Sequence, residues 1–212
     1  MRTSLLAILV AGSLLIGVAG VWLMLHQSVP ASPTIASSAP AENSVAMRKV
    51  HTPAIVVVDV QLDPGECHYR TVDAATGSYL PDGACTPGAV DTAVTQANIA
   101  QTICRSGYTA TVRPPEAATS KFKNTSYPAY SETYSRTTEL DHLVPLELGG
   151  ASSASNLWVE PNAANAQTFR NPKDDIENDL NKAVCNRRVT LAAAQQAIAS
   201  DWTTARQVLG LG

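Results

Sequence analysis

Beyond residue 90 the chain reads as short apolar runs alternating with segments of helical period. Val94, Ile99 and Ile103 lie on one face of a predicted helix over 93–104 that Thr92 would cap. The alternation in YTATVRPP predicts an extended stretch stopped by its two prolines, and the polar segment 116–138 reads as loop or short helix. LDHLVPLEL is a short apolar run broken by Pro145, which predicts an edge strand bending into a turn at Gly149-Gly150, with NLWVEP as the return strand. Asn171 precedes Pro172 as an N-cap precedes a proline at the first helical position. The helix it opens, over 173–184, places Ile176, Leu180 and Val184 on one face. Thr190 opens a last helix with Leu191, Ala194, Ile198 and Trp202 facing inward.

The first ninety residues have a different character. Leu5 to Leu25 is uncharged and apolar over close to the roughly 20 residues that cross a hydrocarbon core as a helix. Arg2 precedes it, so the run is expected to act as a signal anchor over 1–26, in preference to a cleaved signal peptide, and to export the rest of the chain. The Pro-, Ala- and Ser-rich stretch 27–54 reads as a tether, leaving 55–212 as an exported globular domain. In that domain AIVVVDVQL is a candidate strand, and the Gly-, Pro- and Asp-dense stretch after it predicts turns and loops.

Composition narrows this picture only slightly. With 212 residues, 45% of them hydrophobic, the chain can build a core, which excludes a wholly disordered protein. A formal charge of −3 neither suggests nor excludes nucleic acid as a partner, since a nuclease needs only a local basic groove. The four cysteines, Cys67, Cys85, Cys104 and Cys185, all follow the apolar run, and an even count in an exported domain reads as two disulfides. Of the three pairings, Cys67–Cys85 and Cys104–Cys185 are preferred: one closes a local loop, the other ties the front of the domain to its back. Wide spacing and the lack of a Cys-x-x-Cys argue against a zinc site.

One stretch carries chemistry. DHLVPLELGG followed by NLW and a helix resembles the HNH nuclease family, over about 140–185, with a weaker likeness in ACTPGAVDTAVTQANIAQTIC, GYTATVRPP and LAAAQQAIASDW. The resemblance implies an α+β domain in which a ββα-metal finger is embedded in a small disulfide-stapled unit behind one N-terminal transmembrane helix. It implies a metal-dependent endonuclease acting on DNA, with RNA left open, at the outer face of the cell membrane, or secreted if the N-terminal segment is removed. No protein partner is implied.

The residues fit that chemistry one by one. Histidine has the pKa suited to proton abstraction near neutrality, making His142 the candidate general base. Asp141 offers a hard oxygen to one divalent ion, Mg²⁺ first, with Mn²⁺, Ni²⁺ or Zn²⁺ as alternatives. Adjacent strand residues face opposite ways, so these two would converge only at a bend or bulge. Asn156 would bond the imidazole or a finger backbone group and so orient the base. The family's third site residue is His or Asn; no histidine follows His142, which leaves Asn171 first and Asn165 second as the further metal ligand. Lys121, Lys123, Arg136, Arg170 and Lys173 are candidates for a phosphate-binding groove, although acidic residues sit among them. The bland alternatives are a structural histidine bonded to Asp141, a cap at Asn171, and a solvated surface for the lysines and arginines. On those alternatives the chain is a nucleic-acid-binding protein without turnover, or a stapled envelope protein.

Overall fold

The computed structural model describes residues 44–212 apart from Arg136 and Phe169. The apolar run, the tether through residue 43 and Arg136 lie outside the described residues. Among the described residues no helix is long and apolar enough to cross a membrane.

Among the described residues, three two-stranded pairs and five α-helices build the domain. β1 (Arg48–Val50) pairs in parallel with β4 (Ala89–Asp91), and β2 (Arg70–Asp73) forms a hairpin with β3 (Ser78–Leu80). β5 (Thr138–His142) pairs antiparallel with β6 (Leu157–Pro161). The helices are α1 (Tyr108–Val112), α2 (Glu116–Ala129), α3 (Lys173–Cys185), α4 (Leu191–Asp201) and α5 (Ala205–Val208). The mixture of helix and strand agrees with the expected α+β class.

Both disulfides are those preferred from the sequence: Cys67–Cys85 pins the loop that carries the β2–β3 hairpin, and Cys104–Cys185 joins the turn region before α1 to the end of α3. The core gathers around β6 and the helices that cover it. Leu157, Trp158 and Val159 are essentially solvent-free, as are Leu180 and Val184 of α3 and Ile198 of α4. Trp158 is therefore a core residue. Trp202, just past α4, is buried and donates its indole N–H to the Tyr79 carbonyl at 2.7 Å, which ties the C-terminal helices to the hairpin.

Several expected elements take another form. The folded unit begins before residue 55: β1 lies inside the stretch read as tether, and the Val45 N–H reaches Gln196 Oε1 at 3.0 Å. AIVVVDVQL forms only an isolated bridge, Val57 to Ser153, in place of a strand. The helix expected over 93–104 is a series of turns around a short 3-10 segment, Gln96–Asn98. Asn98 accounts for this, because its side chain accepts from the Thr95 N–H at 2.8 Å and donates to the Ala93 carbonyl at 2.9 Å, holding the chain in a local turn. Val94, Ile99 and Ile103 still face the core. The stretch read as extended at YTATV is helix α1, which starts after Gly107 at φ 77° and ends where Arg113 turns extended before Pro114. The polar segment after it is the full helix α2, with Phe122 and Tyr127 buried.

Candidate functional site

Strand β5 runs in unbroken register against β6 from Thr138↔Pro161 to His142↔Leu157. Period-two geometry therefore separates Glu139 and Asp141 on one face from Leu140 and His142 on the other. The bulge expected to bring Asp141 and His142 together is not there. Pro145 and the glycines act further on: Leu146–Leu148 is a 3-10 turn, and Gly149 follows it at φ 72°. Gly150 is needed for space, because a Cβ there would sit 1.7 Å from the Val144 carbonyl oxygen.

The Asp141 face is covered by the start of α3. Lys173, with 0% exposure, donates from Nζ to Asp141 Oδ2 at 2.8 Å, to the His142 carbonyl at 2.7 Å and to Glu177 Oε1. A buried ammonium requires such pairing. Burial alone would lower the lysine's pKa, but Asp141, Glu177 and Glu160 together hold it above its ordinary value. Burial would likewise raise Asp141, and the Lys173 charge outweighs it and keeps the carboxylate low. One lysine cannot neutralise every acid around it. Burial and the Asp141 charge push buried Glu160 well up, and burial pushes Glu177 up to about 8 despite its contact with Lys173. Glu139 is also raised, by burial first and then by Asp141 and Asp174; its exposed position screens part of that effect.

His142 lines a cleft of about 520 Å³ together with Arg113, Lys123, Tyr134 and the carboxylates Glu116 and Glu139. His142 is 8% exposed, and its Nε2 lies 3.0 Å from Ser152 Oγ. Ser152 is held in turn: its N–H donates to Thr52 Oγ1 at 3.0 Å, and Thr52 donates through N–H and Oγ1 to Asp91. Burial lowers the His142 pKa to about 4; Asp141 opposes the shift, while Arg113 and Lys173 add to it. The imidazole is consequently neutral at physiological pH, with Nδ1 the nitrogen not engaged by Ser152.

Asn156 fixes the connection between the strands. Its Oδ1 accepts from the Ala89 N–H at 3.1 Å and the Val144 N–H at 2.9 Å, and its Nδ2 donates to the Val144 and Ala151 carbonyls at 2.9 and 2.8 Å. It thus bonds backbone of the β5–β6 connection and of β4, and not the imidazole, and reaches His142 only through the loop it shapes.

The remaining expected site residues are dispersed. Asn171 Oδ1 accepts from the Lys173 N–H at 2.8 Å, as a helix cap does, and its Nδ2 donates to Glu160 Oε2 at 3.1 Å. Asn165 is exposed in the loop before α3 at φ 65°. Lys121 and Arg170 are exposed, and Lys123 borders the cleft with its Nζ 5.4 Å from the Tyr134 ring centroid. Lys173 does not line a groove: it is buried on the far face of β5 because the first turn of α3 docks on Asp141.

Among the described residues no group of three or more His, Cys, Asp or Glu side chains is placed to hold a metal. Asp141 and Asn171, expected to share a divalent ion, are both engaged by Lys173, one by its ammonium and one by its backbone N–H. An ion bound there would meet the Lys173 ammonium at Asp141 Oδ2, while Glu160 Oε1 is buried without a hydrogen-bond partner. Arg113, Ser152, Glu160 and Glu177 are site residues that the sequence did not single out. Only Lys173–Glu177, an i,i+4 pair, carried a local signal. Comparison with family models, with curated proteins and with solved structures returned no match.

Proposed function

We propose that this chain is a phosphodiesterase of HNH type that cuts nucleic acid, DNA first, in the cleft beside β5. The observation that carries the reading is the His142 imidazole, within 3.0 Å of Ser152 Oγ through Nε2 and lining an open cleft that also presents Arg113 and Lys123. The order strand, loop, strand and helix over β5, β6 and α3 is compatible with this reading, which otherwise rests on the motif resemblance of Asp141-His142 and Asn156.

With Nε2–H donated to Ser152 Oγ, the Nδ1 lone pair accepts a proton from water as its oxygen attacks phosphorus. The P–O bond opposite breaks, and the leaving oxygen takes a proton from solvent. Arg113 and Lys123 offset the charge that builds on the non-bridging oxygens. No step is routed through a divalent ion, because the Lys173 ammonium holds Asp141 Oδ2. Two disulfides suit a domain that works in an oxidising compartment, as the proposed export places it.

The full-length protein, disulfides intact, should be incubated with supercoiled plasmid, linear duplex, single-stranded DNA and RNA, with and without divalent ions. Conversion of at least one DNA substrate is expected. Intact DNA under every condition would remove the nuclease reading. The pairing of Asp141 with Lys173 favours a second reading, a finger that binds nucleic acid without turnover, which predicts salt-sensitive retention of uncut DNA.

A further inference from the structure

We infer that the ammonium of Lys173 is the resident cation of the ββα unit, occupying the position between β5 and α3 that a divalent ion would need, so that the site takes no divalent ion. The chemical consequence rests on the proposed phosphodiesterase function. The exclusion of the ion does not.

The Lys173 ammonium holds Asp141 Oδ2, although Glu160 Oε1 is buried without a hydrogen-bond partner. An ammonium has three donors, and those of Lys173 reach Asp141 Oδ2, the His142 carbonyl and Glu177 Oε1. Asn171 is engaged as well, its oxygen on the Lys173 N–H and its amide on Glu160. Mg²⁺ demands a near-octahedral set of oxygens at about 2.0–2.1 Å. To bind here it would have to take Asp141 from a lysine that has 0% exposure. The ion and the displaced ammonium would then share one small, poorly solvated space, and their repulsion would be far stronger than in water.

The charge balance points the same way. A buried lysine surrounded by Asp141, Glu177 and Glu160 supplies the positive charge for this acidic patch from within the chain. Its bond to the His142 carbonyl ties that cation to the backbone of the proposed base. A divalent ion bound at Asp141 would lie on the face of β5 opposite the side chain of His142, away from the water that His142 would activate. Arg113 and Lys123 are the cations on the cleft side. The reaction expected of this site is therefore cleavage that needs no divalent ion.

The test uses the full-length, disulfide-intact protein after dialysis against EDTA. Mn²⁺ is added while the imidazole resonances are followed by NMR, with His142→Gln used to assign that of His142. The expected result is a His142 signal no more broadened by Mn²⁺ than that of exposed His68. Selective loss of the His142 signal at stoichiometric Mn²⁺ would overturn the inference. In parallel, plasmid cleavage is measured in EDTA and in Mg²⁺. Equal rates support the inference, and cleavage abolished by EDTA and restored by Mg²⁺ contradicts it. Absence of cleavage in both buffers would sink the nuclease reading, and the NMR result would still decide whether the site admits a metal.

Discussion

Asp141 and His142 are neighbours in sequence that live in different environments, because one peptide unit of a strand turns them to opposite faces. The pKa of His142 near 4, set by burial, lies below the ordinary 6.5. The unfolded chain then binds this proton more tightly than the folded one. The stability that neutral His142 contributes is complete above pH 6.5 and is lost as pH falls toward 4. Glu177, raised from 4.5 to about 8, acts in the reverse sense, its contribution being lost as pH rises through that range. A direct NMR titration of His142 therefore separates the two, and a midpoint near 6.5 would contradict the buried imidazole. The cleavage rate should keep its plateau down to about pH 5, where an ordinary histidine base would already be protonated. Asp141→Ala should cost on the order of 3 kcal/mol in denaturant unfolding, since it leaves a buried ammonium short of a partner; a loss within about 0.5 kcal/mol would mean that the pair is solvated. The sequence showed that Asp141, His142 and Asn156 belong to one unit. It could not show Lys173 buried, because a lysine in the first turn of a helix reads as exposed until the helix is docked.

The β5–β6–α3 unit was legible because its signals are local: apolar runs of strand length, a cap before Pro172, and Leu180 and Val184 at helical spacing. Helix α1 was not, because YTATV alternates and contains β-branched residues, and what makes it helical is the left-handed start at Gly107 and the packing of Tyr108. The loop between β5 and β6 hangs on one side chain. Asn156→Ala would strand the Ala89 and Val144 N–H groups and the Val144 and Ala151 carbonyls in a buried setting. With about 1–3 kcal/mol for each unsatisfied buried group, this substitution should destabilise the protein by at least about 3 kcal/mol. Thermal unfolding followed by circular dichroism checks this, and an unchanged midpoint would show that the loop does not depend on Asn156.

At the scale of the molecule, one disulfide joins the β5–β6–α3 unit to the rest of the domain and the other closes a local loop. Cys104–Cys185 spans 81 residues, and the chain-entropy model gives such a bridge roughly 4 kcal/mol. A domain of this size has a net stability of about 5–15 kcal/mol, so reduction should lower the unfolding midpoint and loosen the end of α3. Proteolysis before and after reduction would show this, with unchanged resistance contradicting it. The cysteine pairing could be chosen from the sequence because the separations suggested one local and one long closure. The 3-10 turn at Gln96–Asn98, which comes before that bridge, could not be read, since it depends on the side chain of Asn98. The proposed function makes one central claim, that His142 in the cleft it shares with Arg113 and Lys123 performs phosphodiester hydrolysis. Its most direct measurement is the rate of plasmid nicking by the full-length protein and by His142→Ala, with the fold of both verified by circular dichroism. The account predicts nicking by the native protein and a loss of about 10²–10⁴-fold in the variant. Equal rates from two correctly folded proteins would contradict it.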